Sequence, residues 1–134
     1  MIVIDTHILV WMLSAPKKIG IKARKELERA AKNDQLAISA CTWLELDMLI
    51  EPRGTISRVL FAEAQNFVTL RKFAQLPVSV STALRAGDFS RVHGDPFDLM
   101  IAATAIVHKA RLMTADQTIL GWQHRDLHCL DATL

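Results

Sequence analysis

Four carboxylate side chains of this 134-residue chain follow apolar stretches closely, at points where the chain is predicted to enter a helix: Asp5, Glu45, Asp98 and Asp116. Each alone could cap a helix or favour its dipole. Brought together, the four would repel unless some were protonated or a cation joined them. Carboxylate oxygens without paired His or Cys suit Mg²⁺ or Mn²⁺ better than zinc. Such a site can orient a phosphodiester, lower the pKa of an attacking water and stabilise a leaving oxygen.

Asp98 belongs to the stretch that organises the chain, residues 93–107, HGDPFDLMIAATAIV. Asp95 followed by Pro96 predicts a helix start, because Asp caps free amides and Pro loses no useful donor at the first helical position. The rest of the stretch is apolar nearly all round, which predicts a helix buried on all sides. A carboxylate in the first turn of such a helix requires a structural or chemical reason.

The elements around these acids alternate between short apolar strands and helices, which predicts an α/β/α sandwich with a mostly parallel sheet. Ligands of such sheets bind outside the carboxyl ends of the strands, where the four acids would converge. At this length we expect a single domain over residues 1–134. The predicted strands are residues 1–4, 36–39, 77–80, 111–114 and 127–130.

Capping boxes of the form S/T-x-x-E/Q are predicted to start two of the helices, at Thr42 to Glu45 and at Thr114 to Gln117. The helix over residues 57–73 is predicted to turn Val59 and Leu70 inward, together with other apolar side chains. The predicted helices are residues 6–13, 19–32, 42–52, 57–73, 81–86, 95–107 and a short one after 114.

Composition limits the class of protein. No run of about 18 apolar residues exists, and the first residues lack the pattern of a signal peptide, so we expect no membrane span and a cytoplasmic location. Residues 17–32 carry seven basic side chains against two acidic ones. Lys22 and Lys25 are therefore predicted to contact a nucleic-acid backbone, the alternative being an ordinary solvated helix face.

The sequence resembles PIN-domain ribonucleases, and closely the VapC toxins of bacterial toxin–antitoxin pairs. The resemblance covers nearly the whole chain and rests on the order and spacing of several short motifs. These are MIVIDTH at residues 1–7, WLE at 43–45, HGDPFD at 93–98 with IAA at 101–103, and LMTAD at 112–116.

This resemblance implies cleavage of single-stranded RNA by an acidic cluster that holds Mg²⁺ or Mn²⁺. It also implies a homodimer and a cognate antitoxin whose C-terminal segment crosses the active-site groove. Leu99 is a departure, because the family generally has Arg after the motif DPFD. The site residues carried over are Asp5, Glu45, Asp98 and Asp116 as catalytic metal ligands, Thr114 and Thr6 in support, and Asp95 as a cap or outer-shell group.

Two other functions remain open at this point. One is a non-catalytic PIN-type module that binds RNA or a protein partner, which Leu99 in place of the family Arg favours. The other is a PIN nuclease acting on structured RNA or DNA. The complete set of four acids favours catalysis over binding alone.

Overall fold

Five parallel strands form the central sheet of the protein, in the order β3-β2-β1-β4-β5. The coordinates are a computed structural model that describes residues 1–50, 56–91 and 93–134. The α/β sandwich predicted from the sequence is confirmed, and the sheet is parallel throughout. The strands are β1 (Ile2–Ile4), β2 (Leu36–Ser39), β3 (Ala74–Leu76), β4 (Arg111–Thr114) and β5 (His128–Asp131).

Apolar side chains on both faces of the sheet explain why its central strands are continuous hydrophobic runs. Ile2 and Ile4 belong to one hydrophobic cluster, while Val3 between them belongs to the other. The first cluster includes side chains of α1 (Thr6–Ser14), α2 (Ile21–Lys32) and α4 (Arg58–Leu70). The second includes α6 (Pro96–Val107) and α7 (Gln117–Leu120), with α5 (Val80–Ala86) packed on α6, while α3 (Cys41–Leu49) contributes to both.

Helix α6 starts where the sequence predicts. The Asp95 side chain accepts a hydrogen bond of 2.9 Å from the Phe97 amide, and Pro96 is the first helical residue. The helix packs against β1, β2 and β4, and most of its residues from Asp98 onward are buried. Since β4 starts soon after α6 ends, the first turn of α6 lies at the carboxyl edge of the sheet.

The predicted capping box at the start of α3 is wrong. The helix begins at Cys41 after Ala40 in right-handed helical conformation, so Thr42 lies inside it and caps nothing. The buried Thr42 hydroxyl instead lies 3.1 Å from the hydroxyl of Thr6. Glu45 consequently falls in the second turn of α3 rather than the first. The helix ends at Leu49, and the predicted end at residue 52 lies outside the described residues.

Two further predictions differ from the structure. The third strand covers Ala74–Leu76 rather than residues 77–80, because Pro77 has no amide to donate to a ladder and the edge strand has little apolar character. Val59 and Leu70 of α4 do not face inward, since they are 68% and 80% exposed. The helix buries a narrower stripe that includes Ala64 and Val68.

Helices α2, α4 and α6 end in the same way before their strands. A residue with positive φ follows each helix: Asp34, Lys72 and Lys109, with φ of 51°, 55° and 51°. The next amide then bonds back to a carbonyl five residues earlier, as Ala110 does to Ala105 at 2.9 Å. This is the Schellman turn, usually made with glycine. Among the described residues, no helix is long and apolar enough to cross a membrane.

Candidate active site

Asp5 lies at the end of the central strand β1 and is only 1% exposed. Its Oδ1 accepts a 2.8 Å hydrogen bond from the Thr6 amide, and its Oδ2 accepts one of 2.7 Å from the Thr114 hydroxyl. His7 Nδ1 lies 3.4 Å from the same Oδ2. Burial raises the pKa of Asp5, and these neighbours oppose that rise. Asp5 is therefore a fixed carboxylate with donors on both sides.

Asp116 reaches the same edge from the adjacent strand β4. Its amide donates to the Thr114 hydroxyl at 3.1 Å, and its Oδ1 caps α7 by accepting from the amides of Thr118 and Ile119 at 2.8 and 3.2 Å. Asp116 is thus the N-cap, and the predicted capping box starting at Thr114 is wrong because that hydroxyl is directed to Asp5 instead. The second oxygen of Asp116, Oδ2, lies 3.7 Å from His93.

Glu45 approaches from α3, on the other side of β1. Its Oε1 is buried and has no hydrogen-bond partner among the described residues. One carboxylate oxygen from each of Glu45, Asp95 and Asp98 lies within 4.8 Å of the other two. Burial raises the pKa of Glu45, the Thr6 hydroxyl opposes this, and the charges of Asp5 and Asp95 add to the rise. An orphaned buried oxygen beside two further carboxylates is the environment a cation stabilises.

Asp98 is the residue that the two groups of possible metal ligands share. It belongs to the group with Glu45 and Asp95, and also to a second group within 4.8 Å formed with His93 and Asp116. Burial raises the pKa of Asp98 to about 8, with further contributions from the neighbouring carboxylates. Since an oxygen-rich set of repelling, partly buried carboxylates is what Mg²⁺ and Mn²⁺ prefer, the residues fit such an ion.

The structure places the predicted site residues as follows. Glu45 and Asp116 each lie close to Asp98, in two separate groups, whereas Asp5 lies outside both groups and contributes through its charge. Thr114 and Thr6 support the cluster through hydrogen bonds. Asp95 has two roles: one of its oxygens caps α6, and its carboxylate also lies close to Glu45 and Asp98.

His93 is the site residue that the sequence analysis missed. Its Nε2 lies 3.1 Å from Asp98 Oδ2, and its Nδ1 accepts a 2.9 Å hydrogen bond from the Asp95 amide. The sequence held a signal for this, because the pattern His-x-Asp occurs again at His124 and Asp126 with the same bond at 3.1 Å. The pattern indicates a fixed imidazole, but nothing in it shows what the ring faces.

A cleft of about 810 Å³ opens beside the acids. Glu45 and Asp95 line it together with Met48 of α3 and Phe97 of α6. Acidic and apolar side chains thus line the same cleft, since α3 and the start of α6 each contribute both kinds.

Lys22 and Lys25 are exposed on the first half of α2. The Gly20 amide bonds to Ala132 and the Lys22 amide to Leu134, at 2.9 and 2.7 Å, so the start of α2 lies beside the chain that follows β5. Gly20 is required there, because a Cβ would lie 2.2 Å from the Leu134 carbonyl carbon. The two lysines are therefore near the carboxyl edge of the sheet, on a different element from the acids.

A parallel sheet with clustered acids at its carboxyl edge characterises the PIN domain, and the PIN domain family profile matches residues 2–120. The match spans most of the chain, so the protein belongs to the PIN domain family. Within the family it is similar to VapC proteins. It is 30% identical over 125 residues to Ribonuclease VapC22 of Mycobacterium tuberculosis, covering 92% of each chain. The resemblance inferred from the sequence motifs is confirmed.

Solved structures with the same fold include toxin–antitoxin complexes. VapBC2 from Rickettsia felis, bound to a DNA fragment from their promoter, gives a TM-score of 0.73 at 21% identity and 98% coverage of both chains. VapBC-1 from nontypeable Haemophilus influenzae gives 0.68 at 25% identity and full coverage of both chains. The DNA-bound VapBC from Salmonella typhimurium gives 0.72 at 16% identity, covering 97% and 96% of the two chains.

Proposed function

We propose that this protein is a Mg²⁺- or Mn²⁺-dependent endoribonuclease that cleaves single-stranded RNA and is the toxin of a toxin–antitoxin pair. The observation that carries the metal-dependent chemistry is that Glu45 and Asp116 each lie close to Asp98, with a buried Glu45 oxygen left without a partner among the described residues. Similarity to a VapC ribonuclease supports RNA as the substrate, and similarity to VapBC complexes supports an antitoxin as the partner.

In this proposal Glu45, Asp98 and Asp116 hold the ion, with Asp5 behind them as a buried charge. Such an ion, when bound, neutralises charge that develops on a phosphodiester and lowers the pKa of an attacking water. Thr114 and Thr6 fix the Asp5 carboxylate by direct hydrogen bonds, so the cluster needs little rearrangement.

The cleft and helix α2 provide the surfaces that bind and orient the RNA. The cleft beside Met48 and Phe97 admits a single strand past the acids. Lys22 and Lys25 add positive charge near the same edge and contact phosphates without reading sequence. Helices α3 and α5 also present apolar side chains outside the cleft, since Leu44, Val80 and Leu84 are each more than half exposed. These apolar surfaces support a homodimer, and the free thiols of Cys41 and Cys129 support a cytoplasmic location.

The test is cleavage of a mixed single-stranded RNA by purified, antitoxin-free protein with Mg²⁺ or Mn²⁺, compared with EDTA. We expect metal-dependent cleavage that disappears in Glu45→Gln and in the Asp5→Ala/Asp98→Ala double variant. Glu63→Gln is the matched control for Glu45→Gln, because Glu63 is an exposed glutamate on α4 that does not line the cleft. Equal loss in Glu63→Gln would contradict the assigned site.

A non-catalytic binding module is the second candidate, and one observation favours it. Leu99, beside Asp98, packs its half-buried side chain against the second hydrophobic cluster and supplies no cation to the acids. RNA binding without cleavage by folded, metal-loaded protein would establish that function instead. Cleavage of duplex RNA or DNA in preference to single strands would place the protein in another substrate class.

A further inference from the structure

Three side chains form a strip that leads from the acids along the surface of α1. His7 Nδ1 lies 3.4 Å from Asp5 Oδ2, and the His7 ring meets the Trp11 ring, one helical turn further on, with 5.4 Å between centroids. The Lys18 ammonium lies over the Trp11 ring, 5.4 Å from its centroid. Lys18 is exposed, Trp11 is half-buried and the His7 side chain is 38% exposed. His7, Trp11 and Lys18 are the α1 strip.

The α1 strip joins the acidic site to the basic part of the surface. Lys18 ends the 3₁₀ turn Pro16–Lys18, and the basic helix α2 begins three residues later, with Lys22 in its first turn. Helix α1 contains no carboxylate. A polyanion that follows the strip from α2 toward the acids therefore meets no repulsion from α1 itself.

Trp11 differs from the other two tryptophans in what covers it. Trp43 donates its indole N–H to Gln75 at 2.9 Å, and Trp122 stacks on Phe89 with 4.6 Å between centroids. An exposed ammonium lies over the ring of Trp11 instead. An exposed cation–π contact changes an equilibrium only about 2- to 5-fold, whereas stacking of a nucleobase on an aromatic ring changes it about 5- to 150-fold. A base can therefore take the place of the ammonium.

We propose that the α1 strip binds single-stranded RNA by stacking a base on Trp11, while the Lys18 ammonium moves from the ring to a phosphate. This inference rests on the proposed ribonuclease function and names residues that hold the strand beside the acids. The stacked base must be unpaired, because the bases of a duplex keep their faces stacked on each other. The strip thus favours single strands over duplexes.

The first measurement needs no substitution and follows tryptophan fluorescence of wild-type protein in EDTA, which keeps the RNA intact. Stacking of a base on an indole quenches its emission. We expect a mixed-sequence single-stranded RNA to quench the fluorescence, and an abasic strand of the same length to bind without quenching. Trp43→Phe should retain the quenching and Trp11→Phe should lose it. Quenching by the abasic strand, or its persistence in Trp11→Phe, would overturn the inference.

Trp11→Leu tests the contribution to affinity, because leucine removes the aromatic ring and keeps an apolar side chain against the first hydrophobic cluster. Fluorescence anisotropy with labelled strands in EDTA should show affinity for the single-stranded RNA about tenfold lower than in wild type, and unchanged affinity for the abasic strand. Trp11→Phe should restore most of the lost affinity, since phenylalanine also stacks. An equal loss on both strands would show a structural role for Trp11 and overturn the inference.

Lys18→Gln isolates the phosphate contact. The slope of log affinity against log salt concentration should become shallower by about 0.7, the contribution of one phosphate on a single strand, while quenching remains. Lys32→Gln, at the other end of α2, is the charge-matched control, and an equal change there would contradict the contact. Metal-dependent cleavage by wild type with full RNA affinity in Trp11→Leu would refute the strip alone. RNA binding that depends on Trp11 without any cleavage would contradict the proposed function and leave the strip standing.

Discussion

The Thr114 hydroxyl donates a 2.7 Å hydrogen bond to Asp5 Oδ2, joining the ends of two adjacent central strands. The Thr114 hydroxyl oxygen in turn accepts a hydrogen bond of 3.1 Å from the Asp116 amide. Thr114 is fully buried, and Asp5 is 1% exposed, so water does not replace either bond. One hydroxyl thus orders the acids of β1 and of the turn after β4 relative to each other.

Thr114→Val tests this relationship, because valine keeps the shape and removes the hydroxyl. A buried carboxylate oxygen and a backbone amide would each lose a partner, which costs about 1–3 kcal/mol of unfolding free energy. Loss of such a supporting bond typically lowers metal affinity or activity about 10- to 100-fold. Urea unfolding and Mn²⁺ titration measure the two effects.

Thr114→Ser is expected to retain most of both properties, since it keeps the hydroxyl. Thr104→Val is the matched control for a buried threonine away from the acids; its hydroxyl bonds to Ser39 and to the Met100 carbonyl. We expect that variant to lose stability but not Mn²⁺ affinity. If Thr114→Val bound Mn²⁺ like wild type, the supporting role would be wrong.

Asp98 makes the stability of the metal-free protein depend on pH. Its pKa is raised from 3.8 to about 8 by burial and by the surrounding carboxylates. Between these values the folded state holds one proton more than the unfolded state, so stability falls as pH rises. The stabilisation that comes from the proton on Asp98 is complete below about pH 4 and is lost as the pH rises through about 8.

Asp98→Asn should flatten this dependence, because the amide has no proton to lose. The measurement is the Tm of EDTA-treated protein from pH 5 to pH 9, for wild type and variant. One proton corresponds to a slope of at most about 1.4 kcal/mol per pH unit. A residual slope is expected, since the pKa values of Asp5 and Glu45 are also raised. Identical slopes in the two proteins would contradict the raised pKa of Asp98.

The carboxyl-edge acids and the buried helix α6 could be predicted because they depend on local signals, such as Asp95-Pro96 and short apolar runs. The two capping boxes failed because Thr42 and Thr114 bond across the sheet edge, to Thr6 and Asp5, and no local pattern encodes a partner distant in sequence. His93 was missed for the same reason. Its partners are set by the packing of α6 against the central strands.

Lys72 and Lys109 provide a test of local backbone conformation. Both have positive φ, which costs a side-chain-bearing residue about 1–2 kcal/mol and glycine almost nothing. Glycine also increases the entropy of the unfolded chain, which lowers the stability of the folded protein by about 0.4–1 kcal/mol. We expect Lys109→Gly to stabilise the protein by about 0.5 kcal/mol, the balance of these two effects. Lys25→Gly, in the interior of α2, should destabilise it by about 1 kcal/mol. Equal signs for the two substitutions in urea unfolding would refute the argument.

Lys22 and Lys25 should govern the salt dependence of RNA binding. Each phosphate contact on a single strand contributes about 0.7 to the slope of log affinity against log salt concentration. The slope for Lys22→Glu/Lys25→Glu should therefore be shallower by about 1.4. The affinity itself should fall at low salt and converge with wild type at high salt. Lys32→Glu/Lys72→Glu is the charge-matched control, because both residues line a depression at the opposite end of α2. Fluorescence anisotropy with a labelled single strand and the cleavage-defective Asp98→Asn protein gives the slopes without degradation. If the control changed the slope as much as the Lys22 and Lys25 variant, net charge rather than an RNA path along α2 would be responsible.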